Sequence, residues 1–195
     1  DRAPIATKDW SSYISKIKAS GADGIYIALI TNVIPVFAKQ AYDFGIQKYA
    51  RIVSGAAPGP VELEAGGDAC IGIFGTSDWC WDVNNPKSDA WEGKFWERFK
   101  TIPSDAACHS YVGAMNLFNG IEKAGSTDPQ KIAAALRGIS FDGPYGVVRI
   151  SAKDNCMRND AVLTETVRAP GNPYGAKIYM KVIHTFKAEE LGPPE

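Results

Sequence analysis

The stretch from residue 7 to residue 46 places the strongest constraint on how this chain can fold. Apolar residues at helical spacing come first and end at a pair of nearby glycines. Residues 25–30 then form an apolar run without alternation, which is typical of a strand covered on both faces of a parallel sheet. A second helix is expected at residues 33–44 and closes at Gly45. This order of helix, strand and helix predicts an α/β protein built on an open sheet.

Further strands and helices follow along the chain. Apolar runs and turn signals predict strands at residues 50–54, 69–74, 147–151, 161–168 and 178–186. The same signals predict helices at residues 61–65, 90–100, 105–123 and 130–137. The chain is therefore α/β at its beginning, helical in its middle and mostly strands at its end. We expect a chain that leaves one lobe and later returns to it.

Size and charge limit the kinds of partner. A chain of 195 residues builds one domain or two small lobes, and 45% hydrophobic with 22% charged residues is ordinary for a soluble protein. The net charge of -1 does not steer the chain to nucleic acid or to anionic lipid. No apolar run reaches the roughly 20 residues that cross a bilayer. The opening DRAPIATKD is typical of the inside of a protein, so we expect a removed leader, a truncation or a cut before it.

Four cysteines leave two interpretations open. They are either paired in two disulfides of an exported protein or present as four buried thiols of a cytosolic protein. The even count favours export, and the pairing with the shortest loops is Cys70–Cys80 with Cys108–Cys156. No CxxC pair occurs and the chain has only two histidines, so no zinc site is expected.

Candidate ligand-binding residues follow the ends of the predicted strands. Ligands of open α/β sheets bind outside the carboxyl ends of the strands. The residues at those places are Thr31 and Asn32 after the first strand, Ser54, Ala56 and Ala57 after the second, and Trp79 and Trp81 after the third. Each has a structural alternative, namely helix capping for the first pair, a surface turn for the second group, and cover for the sheet edge or hinge for the tryptophans.

The sequence contains no recognisable catalytic constellation. It lacks GxSxG, P-loop and GxGxxG motifs. His109 adjoins Cys108, but neighbouring residues of a helix point about 100° apart and do not face each other. We therefore expect structural roles for His109 and His184, and turn chemistry at residues 154–160. No enzyme activity, cofactor or metal is expected.

Three segments in order resemble a known family. Residues 9–45, 111–125 and 132–146 resemble the C-terminal half of type I periplasmic solute-binding proteins of ABC importers, in the leucine/isoleucine/valine-binding branch. The third segment, a helix followed by FDGPYG, is the most specific. Together they cover more than half of the chain in the order that the family has.

The resemblance implies a clamshell of two lobes with the ligand in the cleft. Residues 1–104 would form the core of lobe two, residues 105–150 would belong with lobe one, and residues 151–195 would return through the hinge to the final strands. Lobe two would be largely complete and lobe one partial, so a missing N-terminal segment or a companion chain would complete it. We expect apolar helix residues to be exposed as a result, namely Tyr111, Met115 and Phe118.

The resemblance also implies a function. The protein would be periplasmic or extracellular and would deliver a small organic ligand, such as an amino acid, an amide or an aromatic or apolar carboxylate, to an ABC permease. Amino-acid binders of the family commonly carry an acid in the second loop, whereas this loop reads GAAPGP. Together with Trp79 and Trp81, this departure favours an aromatic or apolar carboxylate.

Two other functions stay open. The first is a cytosolic ligand-sensing regulator on the same fold, which four free thiols would favour, just as disulfides would favour the transporter. The second is an α/β enzyme whose site the sequence hides.

Overall fold

The structure, a computed structural model, describes residues 1–4, 6–29, 32–172 and 174–192. The chain divides into two compact units. Unit 1 comprises Asp1–Ser77 and Leu163–His184, and unit 2 comprises Asp78–Val162 and Thr185–Glu195. The first boundary between the two units follows Ser77. The assignment of residue ranges to the lobes of a clamshell stays a prediction.

The described elements alternate between helix and strand at first and end in strands. In chain order they are α1 (Ser11–Ser20), β1 (Gly24–Ile27), α2 (Val33–Asp43), β2 (Arg51–Ser54), α3 (Pro60–Gly66), β3 (Ile73–Ser77), α4 (Pro86–Phe99), α5 (Asp105–Ala124), α6 (Pro129–Leu136), β4 (Ser140–Gly143), β5 (Gly146–Ile150), β6 (Met157–Arg158), β7 (Ala161–Arg168) and β8 (Ile178–Phe186). The predicted α/β fold is confirmed, and β7 and β8 have the predicted bounds.

A five-stranded sheet in the order β1-β2-β3-β7-β8 forms the centre of unit 1. Its first three strands run parallel, and their register places Ile27 opposite Ser54 and Ser54 opposite Gly75. The helices α1 and α2 precede and follow β1, as the sequence predicts. Because parallel strands all end at the same edge, the loops after β1, β2 and β3 leave the sheet side by side.

Packing of α1 and α2 builds the core of unit 1. The ring of Trp10, just before α1, meets Phe37 of α2 edge-on at a centroid distance of 5.5 Å. The backbone N–H of Trp10 donates to Gln40 Oε1 at 2.7 Å, which ties the start of α1 to α2. Ile14 of α1 and Ile34 of α2 are buried. Gly21 ends α1 with a φ of +68°, a conformation that glycine adopts without strain.

Two strand predictions are wrong in detail. β1 is not covered on both faces, since Ile25 and Ile27 are buried while Tyr26 between them is 70% exposed. β1 lies at the edge of the sheet. Successive side chains of a strand point to opposite faces, and here only the face that carries Ile25 and Ile27 is covered. The predicted strand at residues 69–74 begins only at Ile73, because Gly67–Cys70 forms a 3-10 helix whose chain then turns at Gly72 with a φ of +80°.

Helix starts in unit 2 follow the predicted signals. The side chain of Ser104 accepts a hydrogen bond from the N–H of Ala107 at the start of α5. Asp128 accepts one from Lys131 at the start of α6, where Pro129 occupies the first turn. The two helices pack closely at Gly120, where any side chain would collide with α6. β4, β5 and β6 form a separate antiparallel sheet.

The core of unit 2 is rich in aromatic residues. The buried residues of its main cluster are Trp79, Cys108, Val112, Tyr145 and Val148. On the outer side of α5, Tyr111 and Phe118 are exposed and Met115 is half-buried. The exposure expected for Tyr111 and Phe118 is thus observed.

Two threonines of β7 provide a matched test of the sheet. Both are 1% exposed. Thr164 Oγ1 donates to the carbonyl of Gly75 in β3 at 3.0 Å, whereas Thr166 Oγ1 has no hydrogen-bond partner among the described residues. Removal of a partnered hydroxyl leaves a buried carbonyl with less hydrogen bonding, while removal of an unpartnered hydroxyl takes away a polar group that was costly to bury.

We expect Thr164→Val to lower the free energy of unfolding by about 1 kcal/mol and Thr166→Val to leave it unchanged or raise it. Valine keeps the shape and the β-branching of threonine, so the comparison isolates the hydroxyl group. Urea unfolding of the full-length protein measures both changes, and equal m-values show that a shift of the midpoint reflects a change in stability. Equal destabilisation by the two variants would show that the bond to Gly75 does not distinguish them.

Candidate functional site

Ser54 is the buried polar residue at the carboxyl end of β2. Its side chain is fully buried, and its hydroxyl group has no hydrogen-bond partner among the described residues. Buried hydroxyl groups are nearly always paired in folded proteins, and an unpaired one calls for an explanation. Ser54 lies level with Ile27 and Gly75 across the sheet, at the edge where the loops after β1, β2 and β3 begin.

The loop after β2 lies tightly against the end of β3. The N–H of Ala57 donates to the carbonyl of Thr76 at 2.9 Å, and Ala57 is buried. A side chain at Gly75 would collide with the backbone of Ala57, so glycine is required there for this approach. The Ala57 amide is therefore used within the protein. Ala56 is exposed, and of the two alanines it is the one accessible to a ligand.

Asn32 is the described part of the predicted pair after β1, since Thr31 lies outside the described residues. Asn32 is exposed and makes no side-chain hydrogen bond to the start of α2, so the capping alternative is not observed for it. It borders a surface groove of about 360 Å³ between α2 and α3. The groove has apolar walls and one charged residue of each sign, its other lining residues being Pro35, Val36, Lys39, Val61, Glu62 and Ala65.

Trp79 belongs to the core of unit 2. Its indole N–H donates to Ser88 Oγ at 2.7 Å, and the Ser88 hydroxyl donates to Glu92 Oε1 at 2.9 Å. All three side chains are buried, and the Trp79 ring meets Trp91 edge-on at 5.3 Å. This chain of hydrogen bonds satisfies a carboxylate that would be costly to bury alone. Trp81 is half-buried against the same core, so it is the more accessible of the two tryptophans.

An aspartate and a histidine that the sequence reasoning did not pair meet in unit 2. His109 Nε2 lies 3.1 Å from Asp78 Oδ2, and the His109 ring packs edge-on to Tyr145 at a centroid distance of 5.6 Å. Asp78 directly follows β3, and His109 lies in the second turn of α5, 31 residues later. No local motif joins residues so far apart, so the sequence alone predicts only a structural role for His109.

Two further kinds of feature were sought in the described part of the chain, namely clusters of metal-binding side chains and membrane-spanning helices. No group of three or more His, Cys, Asp or Glu side chains there is arranged to hold a metal ion. Within the same residues, no helix combines the length and the apolar character that a membrane span requires.

Comparison with known proteins places the chain beside periplasmic binding proteins. A family model described as "Periplasmic binding protein" matches residues 1–171. The Leucine-, isoleucine-, valine-, threonine-, and alanine-binding protein of Pseudomonas aeruginosa is 28% identical over 81% of this chain and 42% of its own length. The Leu/Ile/Val-binding protein homolog 6 of Brucella suis is 28% identical over 99% of this chain and 50% of its own length. The resemblance inferred from the sequence is confirmed.

Solved structures agree with the family model. A solute binding protein of an ABC transporter from Rhodopseudomonas palustris, in complex with 4-hydroxybenzoate, superposes with a TM-score of 0.85 at 27% identity. The match covers 96% of this chain and 51% of that protein. An amino acid ABC transporter substrate-binding protein from Pseudomonas fluorescens shares the fold with a TM-score of 0.84 at 19% identity. The chain spans about half the length of the proteins that it matches.

The two predicted disulfides are wrong, because all four cysteines are free thiols. Cys70 is buried within unit 1, where its Sγ lies against Gly66. Cys80 and Cys108 are buried within unit 2, whereas Cys156 is exposed. The pairing by shortest loops considered spacing alone and could not show which sulfur atoms are buried in the interior.

Burial keeps the three interior thiols protonated. Desolvation raises the pKa of Cys70 to about 11 and that of Cys80 to about 12. It also raises the pKa of Cys108 strongly, with further contributions from the negative charges of Glu92 and Asp105. Because the thiolate is the reactive form, these three residues are expected to be inert in the folded protein.

We predict that iodoacetamide at neutral pH labels Cys156 in the folded protein and labels the other three cysteines only after unfolding. Exposure decides the difference, since the interior thiols are neither accessible nor ionised. Differential alkylation of the full-length protein with two isotopic forms of the reagent, followed by peptide mapping, measures each site. Recovery of disulfide-linked peptides from protein prepared without reductant would contradict this prediction.

Proposed function

Because the chain belongs to the periplasmic binding protein family, we propose that it is part of an extracytoplasmic solute-binding protein that delivers a small organic ligand to an ABC permease. The observation that carries this proposal is the family match over residues 1–171. The alignment of Ile27, Ser54 and Gly75 at the ends of three strands supports it. The Ser54 hydroxyl group in this row is buried and has no hydrogen-bond partner among the described residues. The protein would act in the periplasm or outside the cell.

The proposed mechanism is closure of two lobes on the ligand. A ligand that binds the closed state more tightly than the open state shifts the population to the closed state, and its differential affinity limits that shift. Binding alone is required, and no bond of the ligand is broken or formed. In a protein of the length of its relatives, an N-terminal segment or a companion chain would complete lobe one and cover the exposed rings of Tyr111 and Phe118.

An aromatic carboxylate is the ligand class that we favour. The loop after β2 reads GAAPGP and contains no carboxylate, whereas the amino-acid binders of the family commonly carry an acid for the ammonium group in this loop. Half-buried Trp81 can add aromatic surface, which suits an apolar ring. The protein from Rhodopseudomonas palustris that this chain resembles was solved with 4-hydroxybenzoate. The Pseudomonas and Brucella relatives are named as binding proteins for leucine-like amino acids, so these amino acids are the alternative ligands.

A second candidate function is a cytosolic regulator that senses a ligand on the same fold. The four free thiols favour it, because a reducing compartment preserves thiols. Fractionation of cells that express the full-length protein separates the two candidates. Recovery with periplasmic marker proteins supports the transport protein, and recovery with cytosolic markers supports the regulator.

Titration calorimetry with 4-hydroxybenzoate and L-leucine tests the ligand class. We expect saturable binding of 4-hydroxybenzoate by the full-length protein, and about tenfold weaker binding after Ser54→Ala, because one hydrogen bond to the ligand is lost. Without ligand, Ser54→Ala should not lower the melting temperature, since the hydroxyl has no partner to lose.

Thr166→Val is the matched control for Ser54→Ala. It removes another buried hydroxyl group that has no hydrogen-bond partner among the described residues. The backbone carbonyl of Thr166 accepts a hydrogen bond from the N–H of Gly72, so Thr166 lies near the beginning of β3, at the opposite end from Gly75. Thr166→Val should leave the affinity unchanged. Tight binding of L-leucine alone would overturn the aromatic class, and equal affinities of Ser54→Ala and wild type would remove Ser54 from the site.

A further inference from the structure

The surface groove between α2 and α3 lies within unit 1. Its volume of about 360 Å³ is in the range of sites that bind small molecules. Pro35 and Val36 of α2, with Val61 and Ala65 of α3, make its walls apolar. Val36 is 38% and Val61 is 74% exposed, although apolar side chains gain free energy when they leave water. The groove thus offers apolar surface that a bound molecule can cover.

Two opposite charges of this groove are unpaired within the described residues. Lys39 of α2 and Glu62 of α3 both line it, yet neither side chain forms an ion pair with the other or with another described residue. Glu62 is half-buried, and a carboxylate that loses part of its hydration without a partner lowers stability. Asn32 completes the polar lining, and its side chain makes no capping hydrogen bond to α2. Three polar side chains of one groove are therefore available to a ligand.

We propose that the groove between α2 and α3 is a second binding site, which takes a small zwitterionic amino acid with an apolar side chain. The ammonium group of Lys39 pairs with the α-carboxylate of the ligand, and the carboxylate of Glu62 accepts from its α-ammonium group. The side-chain amide of Asn32 donates to the same α-carboxylate. The apolar side chain of the ligand covers Val36 and Val61.

The two charges of the groove select this class of ligand. A carboxylic acid without an amino group leaves Glu62 unpaired and brings a second negative charge near it. An amine without a carboxylate does the same to Lys39 with a positive charge. A molecule that carries both charges on one carbon atom can pair with both residues at once. Because exposed ion pairs are weak, we expect an affinity in the millimolar range.

The groove is distinct from the row of strand ends in the same unit, since Ile27, Ser54 and Gly75 do not line it. The inference therefore goes beyond the proposed function and does not depend on it. Failure of 4-hydroxybenzoate to bind would count against the proposed ligand class and would leave amino-acid binding in the groove unchanged. Ser54→Ala should likewise leave the groove unchanged.

Titration of the full-length protein with L-leucine, followed by NMR, tests the proposal, because backbone amide shifts report which residues a ligand contacts. Saturating 4-hydroxybenzoate is present, so that the ligand proposed for the strand ends is supplied throughout. We expect saturable shifts at Val36, Lys39, Val61 and Glu62. The absence of saturable shifts, or saturable shifts confined to the loops after β1, β2 and β3, would overturn the groove as a binding site and leave the proposed function standing.

Two further probes each lack one charge of L-leucine. The first, 4-methylpentanoate, has no ammonium group, and the second, 3-methylbutylamine, has no carboxylate. We expect each to bind in the groove about fivefold more weakly than L-leucine, because each loses one exposed ion pair. Equal affinities of L-leucine and 4-methylpentanoate would contradict the role of Glu62, and equal affinities of L-leucine and 3-methylbutylamine would contradict the role of Lys39.

Lys39→Met and Glu62→Gln remove one charge each and nearly keep the length of the side chain. Each should weaken L-leucine about fivefold. Lys39→Met should not weaken 3-methylbutylamine, and Glu62→Gln should not weaken 4-methylpentanoate, since these probes lack the group that pairs with the altered residue. Glu64→Gln is the matched control, because Glu64 is exposed on α3 and does not line the groove. It should keep the wild-type affinity. Wild-type affinity for L-leucine in both Lys39→Met and Glu62→Gln would overturn the proposal.

Discussion

The parallel register of β1, β2 and β3 is the constraint on which the candidate site depends. It aligns Ile27, Ser54 and Gly75 in one row, so that the loops after all three strands leave the sheet at one edge. Glycine at position 75 then lets Ala57 approach β3, and the Ala57 amide bonds to Thr76. This backbone contact fixes the second loop against the end of β3. A displaced register would separate these groups, because one residue of slip turns every side chain to the other face.

Much of the fold could be predicted from local signals. Ser104 and Asp128 occupy the capping positions that their sequence context indicates, and β7 and β8 have the expected bounds because their neighbouring turns are distinct. The sequence pattern predicts that α4 begins at residue 90, whereas the helix begins at Pro86 and is capped by Asn85. The side-chain amide of Asn85 also donates to the carbonyls of Gly143 and Pro144, far along the chain. Such a long-range contact has no signature in the local sequence.

The site was less predictable than the fold, because its properties arise from tertiary contacts. The place of Ser54 followed from the strand pattern, but its buried and unpaired hydroxyl did not. The sequence suggests that Trp79 stacks on a ligand, whereas in the structure Trp79 lies in the core and donates to Ser88, which donates in turn to Glu92. The pairing of His109 with Asp78 joins a strand end to a helix, and spacing alone does not indicate it. The cysteines are a further example, because their even number does not show that three of the thiols are buried apart from a bonding partner.

Native mass spectrometry of the full-length protein, purified without reductant or added ligand, tests the central claim most directly. The claim is that this chain belongs to a protein whose work is reversible binding of a small organic molecule. We predict a small-molecule adduct that survives gentle ionisation and dissociates on denaturation, with the mass of an aromatic acid. A protein that carries no adduct, and that acquires none after incubation with aromatic acids and amino acids, would contradict the account.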